Sequence, residues 1–180
     1  MGTVSRDDEF ERVMRDVVEP VRRYLARRTD PATAEDVTSE TLLVIWRRLD
    51  EVPPDAVPWA IGVARLQLAN AERAQRRQRR LFTRIATVDP PQAVRDHAEG
   101  DAGYILDAMA RLKPKEAEVV RLWAWDDLDL ARIATVLGIS VNAATIRLHR
   151  ARKSLREEIG KDAPSPGHTG VKEGEPHEQR

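Results

Sequence analysis

Between Asp129 and Leu155 the chain carries two stretches of helical periodicity separated by one glycine, and no other segment restricts the fold so tightly. Leu130, Ile133, Ala134 and Leu137 recur at helical spacing and line one face of a first helix, with Asp129 placed to cap it. Gly138 supplies the left-handed residue that ends this helix. Ile139 crosses the turn, Ser140 is placed to cap a second helix, and Ala144, Leu148, Ala151 and Leu155 fall on its buried side. The pattern is that of a helix-turn-helix.

With those four residues inward, an advance of about 100° per residue turns Asn142, Ile146, His149, Arg150 and Lys153 outward, with Thr145 and Arg156 on one shoulder. A helix with this polar and basic face fits the major groove, where its first turns reach base edges and its long cations reach phosphates. A solvated basic helix on an ordinary bundle has a similar charge pattern. The coincidence of cap, glycine, second cap and a small-residue inner face favours the DNA-reading helix.

The remaining chain suits a second small helical unit: 180 residues contain 11 Pro and only 4% aromatics. Lys and Arg total 30 against 30 Asp and Glu, so affinity for nucleic acid must come from local patches rather than a global field. The absence of cysteine excludes disulfides, thiolate metal sites and thiol nucleophiles. Arg6, Asp7, Asp8 and Glu9 stand where a signal peptide needs an apolar run, and no segment has the length of a bilayer span. A cytoplasmic protein without membrane insertion is expected.

In chain order, apolar residues from Phe10 to Leu25 fall on one helical face, which Pro20 is expected to kink or split. Asp30-Pro31 starts a second helix running to about Leu49, with Val37, Thr41, Val44 and Ile45 inward and Glu35, Asp36 and Glu40 outward. That acidic edge, with Leu42, Leu43 and Trp46 beside it, has the makings of a docking surface. The segment Val52 to Pro58 reads as a loop and Trp59 opens a third helix, along which Trp59, Val63, Leu66 and Asn70 lie near one line. Arg73, Arg76, Arg77, Arg80 and Arg84 then make a continuous stripe with Arg79 beside it; like charges so close repel unless a polyanion neutralises them.

Residues 86–100 read as a flexible acidic linker, with Asp89-Pro90-Pro91, Asp96 and Glu99. His97 beside Asp96 has no pocket there to make it an acid/base pair. Beyond the linker, helices are expected from Tyr104 to Lys113 and from Pro114 to about Trp123; with the helix-turn-helix they form a compact unit over 101–159 that ends at Gly160. The tail, 160–180, is too rich in Pro, Gly and charge to bury a core, and His168 and His177 in it lack a third metal ligand. No catalytic residue, metal or cofactor is expected: Asp126, Asp127 and Asp129 form the nearest acidic cluster, and their place before a helix suits capping. The fold class that follows is all-α, two small helical domains joined by a flexible acidic linker, the second containing the helix-turn-helix. On these features alone, a stand-alone regulator binding duplex operators is the alternative.

Four motifs in register resemble the extracytoplasmic-function sigma factors, small promoter-specificity subunits of bacterial RNA polymerase. The stretch Ala34 to Trp46 is similar to the family's polymerase-docking helix, and Pro58-Trp59 to Arg65 to the start of its promoter-melting helix. Leu112 to Leu122 and Ile133 to Arg152 resemble its second DNA-binding domain, and the likeness covers about residues 8 to 158. It implies a first domain over 5–85 that docks core RNA polymerase through Asp36, Glu40, Leu43 and Trp46. The same domain is expected to melt the −10 element with Trp59, Arg65, Asn70, Arg73, Arg76, Arg77 and Arg80. In the domain over 101–159, Asn142, Thr145, Ile146, Arg147, His149, Arg150 and Lys153 are implied to read the −35 element of promoter DNA, Arg147 favouring phosphates or internal partners. The polymerase then supplies all nucleotidyl transfer, and no enzyme activity is expected of this chain. Family members are often silenced by an anti-sigma factor or by packing of the two domains on each other, and the resemblance leaves both open.

The chain departs from the family's usual residues at Ser39, at Leu66 and at Thr145-Ile146, where the family often has Gln, Asn and a basic residue followed by Ser. An apolar Ile146 can meet a thymine methyl but cannot hydrogen-bond a base edge, so an altered recognition sequence is expected.

Overall fold

The computed structural model describes residues 5–85 and 101–162, and among them every regular element is helical. The chain begins with α1, Arg6–Ala26, capped by Ser5, whose side chain accepts from the Asp7 N–H while Asp8 accepts from the Ser5 N–H. The helix thus starts four residues ahead of Phe10, where the apolar spacing begins, because the polar first turn buries nothing. Pro20 does not split the helix: α1 is continuous through it, with Val17 and Val21 fully buried on either side. Tertiary packing of that face outweighs the one missing donor.

Next comes α2, Pro31–Arg47, capped by Asp30, which accepts from the Thr33 N–H at 3.0 Å, with Pro31 preset for the first turn. Its inner face holds Val37, Thr41 and Ile45 as expected, together with Thr38; the two buried hydroxyls donate to the carbonyls of Ala34 and Val37, each at 2.7 Å. A short 3₁₀ turn, Leu49–Glu51, leads to α3, Ala56–Ile85. Trp59 therefore does not open this helix. Ala56, Val57 and Pro58 form its first turn, where backbone N–H groups have no helical acceptor and a proline loses nothing.

The second half contains α4, Asp101–Arg111; α5, Pro114–Ala124; α6, Leu130–Leu137; and α7, Val141–Asp162. Gly160 does not end α7, which runs on through it to Asp162; a glycine weakens a helix by about 1 kcal/mol but stops it only where φ turns positive. The expected linker lies outside the described residues, as does the tail beyond Asp162.

The three helices of the first half pack on one another, and α5, α6 and α4 pack against α7. The two halves do not stand apart: α3 lies against α6, and one continuous apolar core runs through both. Ala60, Ile61 and Ala64 on α3 belong to the same cluster as Ile133 and Val136 on α6. Gly62 lets the helices approach, since a Cβ there would stand 3.3 Å from the Val136 carbonyl oxygen. Among the described residues, no single helix is long and apolar enough to cross a membrane.

Candidate nucleic-acid interface

The helix-turn-helix is built as its sequence dictates. Asp129 accepts from the Arg132 N–H at 2.9 Å, Gly138 sits at φ 63°, and Ser140 accepts from the Ala143 N–H at 3.1 Å. Ala144, Leu148 and Ala151 are buried, with Leu155 half-buried behind them. That leaves Asn142, Thr145, Ile146, His149, Arg150 and Lys153 exposed along one side of α7, open to a groove. The Thr145 hydroxyl donates to the Val141 carbonyl at 2.9 Å, which leaves it only acceptor capacity toward a ligand. Arg147 is half-buried and turns toward the start of α5, where it lines an open cleft with Lys113, Lys115, Ile146 and Arg150. Arg152 lies over the Trp123 ring at 5.0 Å, a contact internal to this half.

On α2, Asp36 and Glu40 are exposed on the outer edge, and Leu43 is 47% exposed next to them. Trp46 has a different place. Its ring meets Phe10 edge-on at 5.0 Å under the Arg6 guanidinium, and Arg6 also donates to its carbonyl at 2.9 Å. It braces the edge rather than standing out from it.

On α3 the expected residues divide. Asn70, Arg73, Arg76, Arg77 and Arg80 are exposed, with Arg73 donating to Asn70 at 2.8 Å and Arg76 facing Glu72 at 3.3 Å. Trp59 is half-buried beneath the Arg48 guanidinium, which is tied to Glu51. Arg65 is separated from this stripe. It points to the other half and binds Glu118 through two nitrogens, at 2.5 and 3.3 Å, and this hydrogen-bonded carboxylate strengthens its hold on its proton.

Sequence reasoning left packing of the halves open and named none of the contacts that form the seam. Asp126, expected to cap, is instead buried beneath Arg28 at 2.6 Å and Arg27 at 3.4 Å, and Arg27 also donates to the Trp125 carbonyl. Arg132 reaches Asp55 at 2.9 Å across the same seam. Tyr24, under the Arg28 guanidinium, has its pKa pushed up to about 12 by burial, which the nearby cation only partly offsets. Gly62, an isolated glycine inside a strong helix, was the one available signal of a close approach. No group of three metal-ligating side chains occurs among the described residues.

Residues 102–155 match the family model "Sigma-70, region 4". The chain is 31% identical over 157 residues to the RNA polymerase sigma factor CarQ of Myxococcus xanthus, covering 85% of this chain and 90% of that one. It is 33% identical over 147 residues to the ECF RNA polymerase sigma factor SigL of Mycobacterium tuberculosis, covering 77% and 83%. The fold matches that of the sigma factor RpoE, solved with the anti-sigma factor NepR from Bartonella quintana, with a TM-score of 0.56 over 85% of this chain and 98% of that one at 20% identity. A capped helix-turn-helix with an open basic face, a helical partner domain with an acidic edge, and likeness over most of the chain agree: it belongs to the extracytoplasmic-function sigma factors of RNA polymerase.

Proposed function

We propose that the chain joins core RNA polymerase in the cytoplasm and directs initiation at a distinct set of promoters, leaving all bond-making to the polymerase. The single observation that carries this is the geometry of α7: Asn142, Thr145, Ile146, His149 and Arg150 lie open on one face while Ala144, Leu148 and Ala151 fix the opposite face in a core. Residues 101–159 act as the unit reading the −35 element, with Ile146 against a thymine methyl and Lys153 and Arg147 on backbone phosphates. Residues 5–85 act as the docking and melting unit. Asp36 and Glu40 meet a basic polymerase surface, Leu43 adds the apolar contact, and Trp46 supports them.

Arg73, Arg76, Arg77 and Arg80 track the upstream duplex backbone, and Trp59 and Asn70 lie toward the melted −10 element. Arg65 joins them only after leaving Glu118, so promoter melting follows separation of the two halves. RpoE is known in complex with an anti-sigma factor, and a protein partner of that kind is proposed for this chain.

Run-off transcription with purified core polymerase and a pool of genomic promoter fragments tests this reading. New discrete start sites should depend on the chain and vanish when Asp36 and Glu40 are both reversed to lysine. No new starts, with duplex fragments retained by the chain alone, would instead establish an operator-binding regulator.

A further inference from the structure

The seam between the halves opens on one side into a cleft of about 650 Å³, within the range that holds nucleotide-sized ligands. Five guanidiniums line it: Arg27, Arg28, Arg65, Arg73 and Arg121. Two carboxylates, Glu72 and Glu118, line it as well, and Asp126 adjoins it through its pairing with Arg27 and Arg28. Five cations against three anions leave a surplus of two positive charges, and Glu72 is drawn away toward Arg76 outside the cleft.

Arg121 carries much of that surplus. Its recorded partner is the ring of Trp125, 5.8 Å away, and no ion pair joins it to a carboxylate among the described residues. Glu118, which also acts on Arg121 electrostatically, is hydrogen-bonded to Arg65. Half-burial and the like charge of Arg28 push the pKa of Arg121 down, and the charge of Glu118 offsets this only in part, a remaining penalty that an anion in the cleft relieves. Arg73, at the mouth, spends its donors only on Ala69 and Asn70 of its own helix. Planar guanidiniums brought to one cleft from the residues just past α1 and from α3 and α5 suit oxygen atoms carried on several adjacent phosphates better than a single carboxylate. Trp125, whose ring lies 5.8 Å from the Arg121 guanidinium, adds an aromatic surface of the kind that accepts a nucleobase.

We infer that the cleft between the two halves binds a small ligand bearing clustered phosphates, held by Arg121 and Arg73 with Arg27, Arg28 and Arg65 around it. Nucleoside triphosphates and inorganic polyphosphate share this chemistry. Either would touch both halves and so favour the closed arrangement, because a ligand that needs both walls binds only when they are together.

Calorimetric titration of the full chain with inorganic triphosphate and, separately, with ATP at physiological salt tests the inference. Saturable binding at one site per chain is expected. Arg121→Gln and Arg73→Gln should each weaken it about tenfold or more, while Arg12→Gln, on the exposed face of α1, leaves it unchanged. Tighter binding of ATP than of triphosphate identifies a nucleotide site; equal binding identifies a polyphosphate site without base recognition. Arg73 is exposed and bonds only within its own helix, so its variant keeps the fold and stays informative if Arg121→Gln does not. Absence of saturable binding by either probe, or equal loss in Arg12→Gln, overturns the inference.

Discussion

Ile146 is 44% exposed on the face of α7 proposed to read DNA, where an apolar side chain would discriminate by contact rather than by hydrogen bond. Ile146→Ser should change the promoter preference recovered in a randomised-site selection without abolishing binding; an unchanged preference would show that this residue reads no base. Gly138, at φ 63° with open space where a Cβ would stand, isolates the backbone contribution from any clash. Gly138→Ala should cost about 1 kcal/mol in chemical denaturation, from left-handed strain alone.

Tyr24 gives a pH signature. A tyrosine in the unfolded chain ionises near 10 and this one at about 12, so its protonated form is favoured by folding. Stability from this source is complete below about pH 10 and is lost as pH rises toward about 12. The stability difference between the wild-type chain and Tyr24→Phe should therefore shift against the wild type through that window, and a constant difference would contradict the assignment. At this scale the sequence was most legible for α7, where a one-sided core fixes every orientation. It was least legible for Arg65 and Asp126, whose partners lie 53 and up to 99 positions away in the chain.

Helices announce themselves through neighbours, which explains why the caps Asp30, Asp129 and Ser140 were all readable: each accepts from an N–H three residues on. The errors came from treating proline and glycine as universal breakers. Pro58 falls in a first turn, Pro20 rides on a strongly buried face, and Gly160 lies where nothing demands positive φ.

Gly62 belongs to the same lesson with the sign reversed, because its cost to α3 is accepted for the approach of α6. Two effects compete in Gly62→Ala. Alanine favours the isolated helix by about 1 kcal/mol. Against that, its methyl must move the Val136 backbone by a few tenths of an ångström. Gly62→Leu removes the ambiguity, since its bulk cannot fit and must part the helices. Small-angle scattering should show a larger radius of gyration for Gly62→Leu, while the helical signal in circular dichroism stays the same.

At the scale of the whole molecule, the closed arrangement rests on a shared apolar core and a few charge pairs of unequal worth. The Arg132–Asp55 pair is half-exposed on both sides and contributes about 0–1 kcal/mol. Asp126 is different: its side chain is 4% exposed beneath Arg28, which is 10% exposed, so removing its charge strands two guanidiniums at the seam. Asp126→Asn should destabilise the chain by about 3 kcal/mol and raise sensitivity to proteolysis between the halves, whereas Asp55→Asn should do neither. Equal behaviour of the two variants would show that the seam is held by apolar contact alone.

Composition and local periodicity pointed to two helical domains but not to their embrace, since a seam of this kind is written in pairs of residues that no local window contains together. The core that runs unbroken from α3 into α6 also bears on descent. In the proposed function each half has its own task, yet the residues that fit one to the other are divided between them, with Gly62 on one side and Val136 on the other. Recombination that joins a first half from one relative to a second half from another therefore inherits both trades without the joint. Such hybrids should survive mainly where this contact happens to match, which would tie the histories of two otherwise separable parts.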